Sequence, residues 1–155
     1  MICIGCVYAN LIREMEQKIE RKCPFCRHPA PKSEEEADRN VMKRVEANDP
    51  VALREEGMRR YNEGDYKSAF EYLTKAAELG DVAAHHSLAI MYHHGHGVEK
   101  DEKKELYHLE VAAIGGHLYA RYNLGWEEWN NGRTERAMKH FIIAASNGHE
   151  DSAGV

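Results

Sequence analysis

Two cysteine pairs, Cys3-Ile-Gly-Cys6 and Cys23-Pro-Phe-Cys26, are the residues best suited to chemistry, and they hold all four cysteines of the chain. Sixteen residues separate them. Each Cys-x-x-Cys can fold as a tight knuckle that aims two sulfurs at one ion, and soft thiolates hold zinc tetrahedrally without redox change. Cys3, Cys6, Cys23 and Cys26 are therefore the candidate metal ligands and zinc the candidate cofactor, with a single four-cysteine site as one arrangement. Thiol redox at Cys23 and Cys26 is an alternative. That chemistry calls for a strand leading into the pair, whereas the charged stretch Glu16-Gln-Lys-Ile-Glu-Arg-Lys22 precedes it. His28 is read as a loop histidine before Pro29.

A second cluster, His85, His86, His93, His94 and His96, invites a metal reading that its spacing does not support. His85 and His93 are eight apart, more than two helical turns. His93, His94 and His96 surround Gly95-His-Gly97 and are read as loop and surface residues. That glycine pair is a turn device, since no strand leads into it as a nucleotide loop requires. No Ser/His/Asp set or paired carboxylate stands out, so no catalytic residue is assigned.

Between the knuckles, Leu11, Ile12, Met15 and Ile19 recur at helical steps, which predicts a helix over 7–19. Pro29-Ala-Pro31 closes this unit, giving a segment over 1–31. Ser33 and Glu36 have capping-box spacing, and Val41, Met42 and Val45 share a face, so 32–48 reads as a linker and capping helix. A longer pattern follows. Tyr66-Lys-Ser-Ala-Phe-Glu-Tyr-Leu-Thr-Lys-Ala-Ala-Glu-Leu-Gly80 has echoes that end at Gly116 and Gly148, with Ala-Ala pairs at 76/77, 112/113 and 144/145. Small residues align at Ala52, Ala84 and Ala120 and at Gly57, Ala89 and Gly125, while Leu73, Leu109 and Phe141 match in the second helix. Self-similarity at such a period signals stacked helical hairpins. The fold class is all-α: an α-solenoid of three repeats over 49–148 (49–80, 81–116 and 117–148), with 149–155 beginning a fourth. Tyr61, Tyr92 and Trp129 are read as inter-helix packing, and Trp126 as core or groove.

Two resemblances add to this reading. Cys-x-x-Cys, a helix and Cys23-Pro24-Phe25-Cys26-Arg27 resemble the C-terminal half of a RING-type zinc domain. The first cysteine pair and middle ligands of that domain are missing here, so the segment is read as a partial module. The resemblance implies zinc at the four cysteines. If the domain is completed, it also implies a ubiquitin-conjugating enzyme as partner, touched through Pro24 and Arg27. The Cys23/Cys26 pair is also similar to that of glutaredoxin-like proteins. In the array, Leu88-Ala-Ile-Met-Tyr92, Gly95-His-Gly97-Val98, Asp101 and Ala112-Ala113 resemble the Sel-one-like repeats, relatives of the tetratricopeptide repeats. That likeness implies a scaffold that binds a protein or peptide. Helix A lines the family's groove, which nominates Arg54, His86, Tyr122 and Glu128 as contacts.

Composition narrows the partners. Residues 1–32 carry six Lys/Arg against three Asp/Glu, and the remainder carries 15 against 23. An acidic helical array without a basic stripe argues against nucleic acid. No apolar run approaches the roughly 20 residues of a membrane span. The cysteine pairs and the lack of a signal peptide lead us to expect an intracellular protein, cytoplasmic or nuclear. The expected function is a protein–protein interaction adaptor with a RING remnant. The alternative is a RING-type ubiquitin ligase whose repeats recruit the substrate.

Overall fold

The computed structural model describes residues 33–150, with side chains through residue 146. Among these residues the chain forms seven helices and no strand: α1 (Glu34–Glu46), α2 (Pro50–Asn62), α3 (Tyr66–Glu78), α4 (Val82–His94), α5 (Glu102–Ile114), α6 (Leu118–Asn130) and α7 (Thr134–Glu150). The four cysteines, Pro24, Arg27 and the helix expected over 7–19 lie outside the described residues.

The helix starts follow the caps. Asp49 accepts hydrogen bonds from the Val51 and Ala52 amides at 3.0 and 3.2 Å, with Pro50 in the first turn. Asp81 accepts from Ala84 N at 2.8 Å and Asp101 from Lys104 N at 3.1 Å. Each satisfies an amide that the first turn leaves unpaired. The third hairpin uses His117, whose Nδ1 accepts from Ala120 N at 3.2 Å. An accepting Nδ1 fixes that ring with its proton on Nε2 when neutral. At the other ends, Gly80 and Gly116 take φ of +91° and +89°, the left-handed stop expected of them. α7 instead runs on through Gly148 to Glu150.

Packing reproduces the registered pattern. α2 lies on α3, α4 on α5 and α6 on α7, while α3 meets α4 and α5 meets α6. Ala52, Ala84 and Ala120 are fully buried, as are Ala76 and Ala112. A Cβ on Gly57 would sit 2.8 Å from Leu73 Cγ, and one on Gly125 would sit 2.6 Å from Phe141 Cε1. These glycines are the holes into which the second helix of the hairpin inserts its large residue. α1 seals the first repeat through Val45 and Val41. Buried Arg44 ties it further, donating to Asp49 Oδ2 through Nε and Nη2 at 3.0 and 2.9 Å.

One charged group inside this frame escaped the sequence reading. Glu56 is buried, and its carboxylate accepts from Arg59 Nε and Nη2 at 2.9 and 2.7 Å and from Arg60 Nε at 2.8 Å. Burial pushes its pKa up, but the two guanidiniums outweigh burial and hold it below the ordinary carboxylate value, as paired opposite charges do.

Candidate functional site

The loop that distinguishes the second repeat has a structural role. Gly97, at φ +75°, lies so close to the first repeat that a Cβ there would sit 2.7 Å from the Tyr66 carbonyl oxygen. This contact turns His96 inward. Its ring stacks on Tyr66 with centroids 4.5 Å apart, and its Nδ1 lies 2.7 Å from the Tyr61 hydroxyl. Val98 packs against the same core. The expectation that His96 is a loop and surface residue holds for the loop and is corrected for the surface: its half-buried ring packs on Tyr61 and Tyr66 in the seam between the first two repeats.

Other histidines also pair across helices. His85 and His108 face each other with Nδ1 atoms 2.9 Å apart, so one ring donates and the other accepts. Burial, helped by His85 and Lys104, depresses the His108 pKa to about 4. His86 stacks on His117 at 4.4 Å, and burial with the His117 charge depresses its pKa to about 4 as well. Among the described residues no three His, Cys, Asp or Glu side chains converge to hold a metal ion.

A cleft of about 280 Å³ opens where the second and third repeats meet. α4 supplies Ile90, His93 and His94, α5 supplies Glu105, and α6 supplies Trp126 and Glu127. Ala89, Leu109 and Asn123 complete its wall. Glu105 accepts a hydrogen bond from His93 Nδ1 at 2.9 Å, if that nitrogen carries the proton. Burial lifts the Glu105 carboxyl above its ordinary range; His93 pulls it back, and Glu127 and Glu102 push it up again. Two carboxylates beside a half-exposed indole form a site of negative charge on an aromatic wall. Such a site attracts an ammonium or guanidinium group through ion pairing and cation–π contact.

The four nominated groove residues lie elsewhere. Arg54 Nε donates to Asp81 Oδ2 at 3.2 Å, bridging the first two repeats. His86 is taken up by His117 and by Asn123 at 3.5 Å. Tyr122 is half-exposed, edge-on to Trp126 and 5.3 Å from the Phe141 ring. Glu128 pairs with Arg133 and Arg136 within the third hairpin. Of the aromatic residues expected in the packing, Tyr92 is buried against Phe70 and His108, and Tyr61 holds His96. Trp129 is corrected: it is half-exposed, because no later helix among the described residues covers it. Trp126 falls in the cleft. Glu105 and Glu127 were missed because they become neighbours only when α5 and α6 pack. Ile90 and Trp126 share a repeat position, which was the one signal available.

Comparison with known proteins agrees with this geometry. HcpC of Helicobacter pylori (strain J99) is 39% identical over 56 residues, covering 36% of this chain and 19% of HcpC. The Sel1 repeat protein of Oxalobacter formigenes superposes with a TM-score of 0.66 at 30% identity, over 73% of this chain and 49% of that one. The protective antigen c5321 of uropathogenic Escherichia coli, described as displaying an SLR fold, gives 0.64 at 28% identity, over 71% of this chain and 25% of that one. This chain therefore spans half or less of each relative. The Sel1 repeat model matches residues 56–81, 82–117 and 118–149. With three consecutive matches laid over three observed hairpins, the chain belongs to the Sel1 repeat family.

Proposed function

We propose that this chain is a protein–protein interaction scaffold whose cleft between the second and third repeats receives a basic side chain from an extended partner segment. The observation that carries it is the pairing of Glu105 and Glu127 with Trp126 on a rigid wall of three helices. The fixed helices pre-organise the site, which lowers the ordering cost of binding. The acidic excess over residues 33–155 favours the same kind of partner. A displayed library of random peptides tests this. Selected segments should be enriched in Arg or Lys, and Glu127→Lys should reduce their binding by at least about tenfold, the loss of one charge-assisted contact. Enrichment in acidic or purely apolar segments would defeat the proposal.

A second reading draws on Cys3, Cys6 and the Cys23-Pro24-Phe25-Cys26-Arg27 motif. These residues support zinc binding by a partial RING-type module; if that module is completed, Pro24 and Arg27 are its contacts to a ubiquitin-conjugating enzyme and the repeats choose the substrate. Metal analysis of purified protein, with an autoubiquitination assay, separates this reading from a plain adaptor. Zinc lost on Cys→Ser substitution together with ubiquitin transfer supports the ligase, and neither supports the adaptor.

A further inference from the structure

The two seams of the array respond differently to a proton. Between the first and second repeats, Arg54 Nε donates to Asp81 Oδ2 at 3.2 Å and Ser87 Oγ donates to the Met58 sulfur at 3.4 Å. His96 adds its ring, with Nδ1 at 2.7 Å from the Tyr61 hydroxyl. A hydroxyl can donate to a neutral imidazole or accept from a protonated one, so this bond survives by reversing direction. The same ring stacks on Tyr66, whose face suits a cation. That seam keeps its contacts in either protonation state.

The seam between the second and third repeats depends on two histidines. His86 of α4 stacks on His117 with ring centroids 4.4 Å apart. His117 is also the cap of α6, at the repeat position that Asp49 and Asp81 fill in the earlier hairpins. Its Nδ1 accepts from Ala120 N at 3.2 Å. A proton on that nitrogen would set a donor against a donor. It would also place positive charge at the positive end of the helix dipole. A proton on His86 brings charge against the same ring. The surroundings give little relief: His117 faces Asp81, which Arg54 already engages, and both rings face Tyr119. Burial holds His117 below the ordinary histidine value, with Asp81 pulling it up and Arg54 down. Asn123, 3.5 Å from His86 Nε2, also lines the cleft, so the ring pair and the cleft share a side chain.

We propose that the His86–His117 pair is a proton-operated latch: a proton taken up there parts the third hairpin from the second and dismantles the cleft between them, while the first two repeats stay joined. The latch does not depend on what the cleft receives. A repeat contacts only its neighbours and one hairpin cannot bury its apolar face alone, so a lost seam exposes the amides of α6. His86 titrates at about 4 in the closed seam and at 6.5 once released. The latch is therefore fully closed above pH 6.5 and weakens as pH falls toward 4. From pH 7 to pH 5 the opening of α6 should rise about tenfold, allowing for the partial exposure of the rings.

Amide hydrogen exchange of the full chain at pH 7 and pH 5, expressed as protection factors, tests the proposal. Protection in α6 should fall about tenfold more than in α2 and α3. His117→Asp installs the cap used by the earlier hairpins and should abolish that excess. His86→Phe keeps a ring against His117 without a nitrogen to protonate, and should remove most of it. Unchanged far-UV circular dichroism at pH 7 shows that each variant has folded. Equal loss in all helices, or no loss in α6, overturns the proposal. So does an excess loss that persists in both variants.

Discussion

Replacing Gly97 by Ala tests whether the loop of the second repeat clamps that repeat onto the first. Two costs combine. Gly97 sits at φ +75°, in the left-handed region. An L side chain there carries backbone strain of roughly 1 to roughly 2 kcal/mol. The new Cβ also meets the Tyr66 carbonyl oxygen at 2.7 Å and its carbon at 2.9 Å, and these are backbone atoms that cannot rotate away. Relieving that overlap moves the loop, and overpacking of this kind costs about 1–3 kcal/mol. Reduced freedom in the unfolded chain returns about 0.4–1 kcal/mol. The net expectation is a loss of about 2–4 kcal/mol. Gly64→Ala is the control. Its φ is +84°, but nothing lies within 4 Å of its Cβ. Only the strain remains there, about 1 kcal/mol. Urea unfolding followed by circular dichroism measures both. Amide exchange should show faster opening at Tyr61 and Tyr66 in Gly97→Ala alone, because that variant also unseats the His96 ring. Equal losses in the two variants would refute the clamp.

The same contacts set three further expectations. Gly57→Ala should cost about 1–3 kcal/mol in urea unfolding, as overpacking does, because its Cβ meets fully buried Leu73. Gly125→Ala should cost less, since Phe141 is only partly buried where Leu73 is fully buried. In Glu56→Gln, Arg59 and Arg60 lose a charged acceptor but can turn to water. The expected destabilisation is roughly 1 to roughly 2 kcal/mol in the same assay. Stability should fall on acidification from pH 7 to 5. His86 faces His117, Tyr119 and Asn123, and His108 faces His85, Lys104, Tyr92 and Tyr107. Both have folded pKa values of about 4, below the unfolded value of 6.5. The unfolded chain therefore binds more protons in that window, and stability is full above pH 6.5 and lost as pH falls toward 4. Partial exposure reduces the loss to about 1 kcal/mol per histidine at pH 5. Thermal melts of the protein and of His108→Gln, which should lose part of the pH dependence, check this.

The hairpins were legible because their boundaries are local chemistry. Asp49, Asp81 and Asp101 are caps, Gly80 and Gly116 are stops, and the Ala-Ala pairs at 76/77 and 112/113 mark close contact. The seams were not. Arg54, His86 and Tyr122 hold one helix position but use an ion pair, a ring stack and an open aromatic face, so residue type alone concealed their shared role. His96 likewise gave no signal, since its place is set by the approach of Gly97 to Tyr66 in the preceding repeat. Glu56 looked like an ordinary surface charge, because its burial depends on α1 and α3 closing over α2.

The central claim is that the cleft between the second and third repeats is where a partner segment binds. Amide and indole chemical shifts, followed while a basic peptide selected on this protein is titrated in, test it most directly. Changes should concentrate at His93, Glu105, Trp126 and Glu127 and be abolished by Glu127→Lys. Changes centred elsewhere, or unaffected by that substitution, would contradict it.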